Sequence, residues 1–209
     1  MQVSVIIPCK GRLEHLKQCL PTIEAQTLQP YEVIVVDYDC PDKCYKWVKE
    51  QKKPNLKAIK AKTLSKYFNL SRARNEGYRA SIGDILFFCD ADTLLNPNFL
   101  KIHIQAWRQG AFMCGWGMGH STGNLLVSRV MFEHEKVRGF NEALNNWGGD
   151  DITMYLRMEN VGFRRIPFFG LTDNISHGDD KRVEHYEVKD KDQSNGENFH
   201  IASIKWEGI

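Results

Sequence analysis

This 209-residue sequence predicts an α/β fold, a mostly parallel sheet flanked by helices, and three observations carry that reading. Apolar runs rich in β-branched or aromatic residues, at 3–8, 33–36 and 85–89, lack the polar alternation of a half-solvated strand, so they suit a sheet covered on both faces. Helical patterns separate them, as expected where crossover helices join parallel strands. Polar clusters follow directly on the runs: Lys10-Gly11-Arg12, Asp37-Tyr38-Asp39 and Asp90-Ala91-Asp92. Ligands of such sheets bind outside the carboxyl ends of the strands.

The elements follow in order. A strand over 3–8 leads to a helix over 13–26, with Leu13, Leu16, Leu20 and Ile23 at helical spacing. The second strand, 33–36, ends at Asp37; a short helix over 45–51 and a third strand over 57–61 come next. Ser71 is a suitable N-cap for a helix running to Ile82, and Gly83 a suitable terminator. Within that helix Ala73, Gly77 and Ala80 form a small-residue face for close packing on the sheet, with Arg72, Asn75 and Arg79 along another side. The strand 85–89 then delivers Asp90-Ala91-Asp92. After about residue 110 the pattern changes to Gly- and Trp-rich loops, a short strand over 124–127 and one helix over 150–160, a smaller mixed region. Residues 179–209 are polar with few apolar anchors and are expected to be mobile until ligand binds.

Composition narrows the function classes. With 28 basic and 26 acidic residues the net charge is +2, too mild for nucleic acid as main partner. The 42% hydrophobic and 26% charged fractions argue against wholesale disorder. No apolar run approaches the roughly 20 residues that cross a bilayer, so no transmembrane segment is expected. The N-terminus enters a strand-like run at once, so the chain is expected to begin at Met1 without a leader. Six cysteines, at 9, 19, 40, 44, 89 and 114, are read as free thiols in a reducing, cytoplasmic compartment, since Cys9 and Cys89 lie in runs expected to be buried. Cys40 and Cys44 have three residues between them and no second Cys/His pair nearby, which lends a zinc site little support.

Six features can carry chemistry, each with a bland alternative. Asp90-Ala91-Asp92 presents hard oxygens suited to Mn²⁺ or Mg²⁺, which neutralise a diphosphate, yet Asp-x-Asp is also common in solvated turns. Lys10 and Arg12 flank a glycine that lets backbone approach phosphate oxygens, or they line an ordinary turn. Asp37 suits a hydrogen bond from a base or ribose, or a turn. Arg72 and Asn75, near a helix start, are ligand contacts or a solvated face. In Trp147-Gly148-Gly149-Asp150-Asp151 the indole offers a platform for a sugar face and two carboxylates open a helix, where an ionised Asp near a hydroxyl is a general base. Asp150 as a mere cap with Trp147 in the core reads equally well. His177 stands apart in sequence, a structural histidine or a metal ligand beside Asp92.

Taken together, these segments resemble the β-1,4-galactosyltransferase family of nucleotide-sugar glycosyltransferases, within the broader GT-A group that includes family 2, chondroitin-polymerase and polypeptide N-acetylgalactosaminyltransferase domains. The resemblance runs from Ile6-Ile7-Pro8-Cys9-Lys10-Gly11-Arg12-Leu13-Glu14-His15-Leu16-Lys17, through Phe68-Asn69, Asn75-Glu76-Gly77 and Asp90-Ala91-Asp92, to Gly139-Phe140-Asn141 and Trp147-Gly148-Gly149-Asp150-Asp151. It implies a GT-A, Rossmann-like sheet in one domain, 1–209, with a nucleotide-binding half at 1–110, an acceptor and catalytic half at 111–178 and the polar tail. Pro8, Lys10, Arg12, Asp37, Phe68, Arg72, Asn75, Asp90 and Ala91 are the expected nucleotide contacts. Asp92 and His177, with Asp90, are the expected Mn²⁺ ligands. Trp147, Gly148, Gly149 and Asp150 are expected at the sugars, with Asp151 as catalytic base and Asp150 beside it. Lys10, Asp150 and Asn174 stand where the family usually has Arg, Glu and Met.

The activity so implied is inverting, metal-dependent transfer of galactose or an N-acetylhexosamine from a UDP-sugar to a hydroxyl acceptor, a glycan or a membrane-bound acceptor approached from the periphery. Loops such as 107–123 and the tail are the expected acceptor contacts. A retaining or chondroitin-type enzyme, a sugar-nucleotide nucleotidyltransferase and a catalytically silent carbohydrate-binding protein are the competing readings. Metal-dependent UDP binding separates the last from the transferases.

Overall fold

The computed structural model describes residues 1–115, 123–206 and 208. In chain order the elements are β1 (Val3–Cys9), α1 (Leu13–Glu24), β2 (Glu32–Asp37), α2 (Cys44–Glu50), β3 (Leu56–Lys60), α3 (Leu70–Arg79), β4 (Ile85–Phe88), β5 (Thr93–Leu95) and α4 (Phe99–Ala106). They continue with β6 (Ala111–Cys114), β7 (Leu125–Ser128), α5 (Arg129–Phe132), α6 (Asp150–Asn160), β8 (Arg164–Pro167), β9 (Thr172–Asn174), α7 (Asp179–Val183) and α8 (Lys191–Ile204). Seven strands form one sheet in the order β3-β2-β1-β4-β7-β6-β8, while β5 and β9 make a separate antiparallel pair. The pairs among β3, β2, β1 and β4 are all parallel, and β7 is antiparallel to both its neighbours. The expected mostly parallel α/β sheet with a smaller mixed side is what the chain forms.

Alternation along the strands supplies both cores. Val3, Val5, Ile7 and Cys9 pack on one face with Leu16, Leu20 and Ile23 of α1, and Ile6 packs on the other with Ala73 of α3. The small-residue face of α3 works as expected: a Cβ on Gly77 would press into Ile6 and Val36. Helix against strand at that distance tolerates no side chain.

Two expectations at α3 fail for local reasons. Its cap is Asn69, not Ser71: Asn69 is extended, and its side-chain oxygen accepts from the Arg72 N–H at 2.8 Å. Ser71 is fully buried, with no partner for its hydroxyl among the described residues. The helix also stops at Arg79, short of Ile82. Gly83 serves β1 instead, its N–H donating to Ser4 Oγ at 2.9 Å where a Cβ would meet Ser4.

The polar tail carries two helices. Residues 179–204 contain α7 and α8, which pack on one another, and α8 packs on α6. Its anchors are polar: Ser194 and Asn198 are fully buried and bonded to the backbone of Asn146, Trp147 and Gly148. Counting apolar residues missed them. Among the described residues no helix is long and apolar enough to cross a membrane. Of the expected acceptor loop at 107–123, residues 116–122 lie outside the described residues.

Candidate active site

The sheet's strand order reverses at β1: the chain steps outward to β2 and β3, then returns to β4 on the other side. The carboxyl ends of β1 and β4 therefore flank a switch point, where ligands of such sheets bind. Lys10-Gly11-Arg12 and Asp90-Ala91-Asp92 are the segments delivered there. They line one cleft with Pro8, Phe68, Trp147 and His177, joined by Arg182, His185 and Tyr186 of the tail. A second cleft opens beside it, lined by Gly148, Gly149, Asp150 and Asp151, and the two share Leu70, Asp90, Trp147 and Arg182.

At the β1 end, Lys10 Nζ donates to the carbonyls of Tyr38 and Asp39 at 3.0 and 3.2 Å. Gly11 is left-handed, at φ +64°, and any Cβ there would collide with the His185 imidazole. Arg12 donates to the Lys181 carbonyl and pairs with Glu184 at 3.7 Å. Phe68 lies edge-on to Tyr38 and tilted against Tyr186, with centroids 5.3 and 5.6 Å away. The tail thus lies directly on the basic loop.

The β5–β9 pair brings the late histidine to the acidic turn. Thr93 pairs with Asn174, the Ile175 N–H donates to the Asp92 carbonyl at 2.8 Å, and His177 Nε2 stands 2.8 Å from Asp92 Oδ2. A carboxylate oxygen beside an imidazole nitrogen suits Mn²⁺ or Mg²⁺, and two protein donors leave positions for diphosphate oxygens. These residues fit the implied metal. His15 lies edge-on to His177 at 5.8 Å, its pKa lowered by burial and then by Arg12, which favours the neutral ring.

Arg74 organises the acids, and the sequence reading passed over it. Almost completely buried, it pairs with Asp90 at 2.9 Å, with Asp150, and with the Gly123 carbonyl, and it stacks over Phe140 at 4.9 Å. Burial alone would lower its pKa, but the two carboxylates outweigh that and hold it charged. Burial raises Asp90, with Arg74 pulling the other way. Asp151 is pushed up to about 7, first by burial and then by the Asp150 charge, with Arg74 opposing. The available signal was a guanidinium sitting between Ala73 and Gly77, on a helix whose small face must be buried.

Several expected contacts are placed otherwise. Asp90 lines the cleft but gives Oδ1 to Arg74, so Asp92 and His177 are the pair left for a metal. Asp150 likewise spends an oxygen on Arg74 as the first residue of α6, whose N-cap is Gly149. Asn75 is fully buried: its amide donates to the Phe140 carbonyl and Glu142, and its oxygen accepts from the Phe140 N–H. It braces the loop after α5 rather than facing the cleft. Arg72 pairs with Glu142 at 2.8 Å. Asp37 is turned into its own loop, accepting from the N–H groups of Cys40 and Tyr45 at 2.8 and 2.9 Å. Gly148 and Gly149 are both left-handed, at φ +91° and +76°, which aims Asp150 and Asp151 into the second cleft.

With this geometry in hand, comparison with known proteins is informative. The profile of the family described as "Glycosyl transferase family 2" matches residues 4–168. A dolichol-phosphate mannosyltransferase of Pyrococcus furiosus is 34% identical over 113 residues, 53% of this chain and 31% of the relative. An uncharacterized glycosyltransferase of Bacillus subtilis, YwdF, is 31% identical over 107 residues, 48% of this chain and 36% of the relative. The chain thus spans about a third of the length of these curated relatives. Among solved structures, the mannosyltransferase PcManGT from Pyrobaculum calidifontis, in complex with GDP-Man and Mn²⁺, aligns with a TM-score of 0.66 at 20% identity, covering 79% of this chain and 54% of that one. S. aureus TarS 1-349 in complex with UDP aligns at 0.67 and 17% identity, covering 96% and 71%. At such identities the structural likeness speaks to fold alone.

Proposed function

We propose, from the premise that this chain belongs to glycosyl transferase family 2 and is a glycosyltransferase of GT-A fold, that it moves galactose or an N-acetylhexosamine from a UDP-sugar to a hydroxyl acceptor with inversion. One observation carries the reading. The Asp92–His177 pair and Asp151, whose carboxyl is pushed up to about 7, face adjoining clefts joined at Asp90 and Trp147. The first cleft suits a nucleoside diphosphate and the second an acceptor, so the sugar would sit at their junction against the indole.

In this mechanism the chain does four things. Lys10 has three donors and spends two on carbonyls, so its third serves a phosphate oxygen. Arg12 adds a second cation at the same loop. Asp151, with a pKa of about 7, takes the proton of the attacking hydroxyl at neutral pH. Arg74 fixes Asp90 and Asp150 so that neither swings into the reaction path. Asp92 and His177 would hold a Mn²⁺ or Mg²⁺ ion, which would supply neutralisation of charge on the departing nucleoside diphosphate.

The family match is broader than the β-1,4-galactosyltransferase resemblance, and one observation favours a second donor. A relative described as a dolichol-phosphate mannosyltransferase favours mannose as the sugar moved, with GDP-mannose the donor to test. Turnover of UDP- and GDP-sugars, with and without Mn²⁺, decides between them. The first reading expects Mn²⁺-dependent release of UDP from UDP-galactose or a UDP-N-acetylhexosamine and an inverted anomeric centre in the product by NMR. Release of GDP alone moves the donor to GDP-mannose; a retained anomeric centre overturns single displacement.

A further inference from the structure

A cluster of three thiols lies behind the basic loop, and the reaction above has no use for it. Cys9 ends β1, Cys40 sits in the loop after β2, and Cys44 opens α2. In sequence Cys40 and Cys44 lack a third partner; β1–β2 pairing supplies one by setting Cys9 opposite Asp37. The three Sγ atoms all lie within 4.8 Å of one another, and all three residues are buried. From the geometry we infer that Cys9, Cys40 and Cys44, with the Asp37 carboxylate as fourth donor, form a binding site for a soft divalent cation of the Zn²⁺ class.

Polar groups aimed at the sulfurs distinguish this from thiols packed as small hydrophobes. The Gly11 N–H donates to Cys40 Sγ at 3.2 Å, a bond that stabilises a thiolate. Cys44 Sγ donates to Asp37 Oδ2 at 3.2 Å, placing a carboxylate oxygen at the edge of the cluster. Sulfurs around a tetrahedral zinc stand roughly 3.8 Å apart, given bonds near 2.3 Å, so the three thiols need a contraction of at most about 1 Å, with the Asp37 carboxylate approaching from the Cys44 side. Sulfur donors favour Zn²⁺ over Mn²⁺ or Mg²⁺, which sets this site apart from Asp92 and His177. An opening of about 380 Å³ lined by Asp37, Cys40, Lys43, Lys46 and Lys60 gives an entry path, and its lysines offset the negative charge of three thiolates and a carboxylate. Because Gly11 is bonded to Cys40 and Lys10 to the Tyr38 and Asp39 carbonyls, an ion here would pin the loop that carries Lys10 and Arg12.

Cobalt titration of the whole chain, reduced and stripped of metal, tests this. The expected result is an intense sulfur-to-cobalt charge-transfer band that saturates near one equivalent, is displaced by Zn²⁺, and persists in Asp92→Ala, whose site has no sulfur. Cys40→Ser/Cys44→Ser should lose the band. Where that variant fails to fold, two other measurements decide: Zn²⁺ should raise the melting temperature of the wild type, and Asp37→Asn should keep the band while weakening Zn²⁺ at least tenfold. No band with all six thiols free, or a band surviving in the double variant, overturns the site. A Cys40–Cys44 disulfide whose reduction restores no metal binding overturns it too. Unchanged Zn²⁺ affinity in Asp37→Asn removes Asp37 as fourth donor.

Discussion

Two acid pairs frame the clefts, Asp90/Asp92 after β4 and Asp150/Asp151 at the start of α6. Each has one member tied to Arg74 and one left to act: Arg74 takes Asp90 and Asp150, while Asp92 faces His177 and Asp151 forms no salt bridge among the described residues. The free members differ in what surrounds them. Asp92 has a nitrogen ligand beside it, the arrangement of a metal site, whereas burial and the Asp150 charge push Asp151 up to about 7, the condition of a base. Four carboxylates reach two chemistries because one buried cation neutralises two of them.

The largest expected break comes at Asp151. Asp151→Asn removes the base while keeping shape, so turnover should fall at least a hundredfold, up to about ten-thousandfold, with nucleotide binding by calorimetry unchanged. Near wild-type turnover would mean the two pairs are not divided as described. Arg74→Met would leave two carboxylates without their shared cation and should cost about 3 kcal/mol in urea unfolding. A cost under about 1 kcal/mol would show that both acids turn to solvent unaided.

His177→Ala tests the other pair and should weaken Mn²⁺ activation ten- to hundredfold, leaving Asp151 titration in place. The smallest effect is in pH. A base with a raised pKa is protonated and idle below about 7, so log kcat should rise with unit slope up to about pH 7 and level off above it. Asp151→Asn should flatten that limb, and His177→Ala should not.

Legibility followed the same division. Buried strands, the small face of α3 and both acid pairs could be read locally, because burial on both faces writes itself into runs such as Val33–Val36 and close packing into Ala73 and Gly77. Arg74 could not be assigned a role that way: its partners lie 16 and 76 residues along the chain. The anchors of the tail were not legible because Ser194 and Asn198 hold it through backbone hydrogen bonds instead of apolar burial. Asn69 displaced Ser71 as cap because its amide also reaches the Glu142 carbonyl at 2.8 Å.

By itself the sequence determined the order of strands and helices as far as β4 and the residue types available at the strand ends, since periodicity and turn chemistry act over a few residues. Tertiary structure alone decided which of those residues meet. Pairing of β5 with β9 carries His177 to Asp92, pairing of β1 with β2 carries Cys9 to Cys40 and Cys44, and the seat of α3 on the sheet aims Arg74 between two acids. Each meeting depends on the surfaces that pack, and no local pattern encodes a contact between segments that find one another only when the core closes.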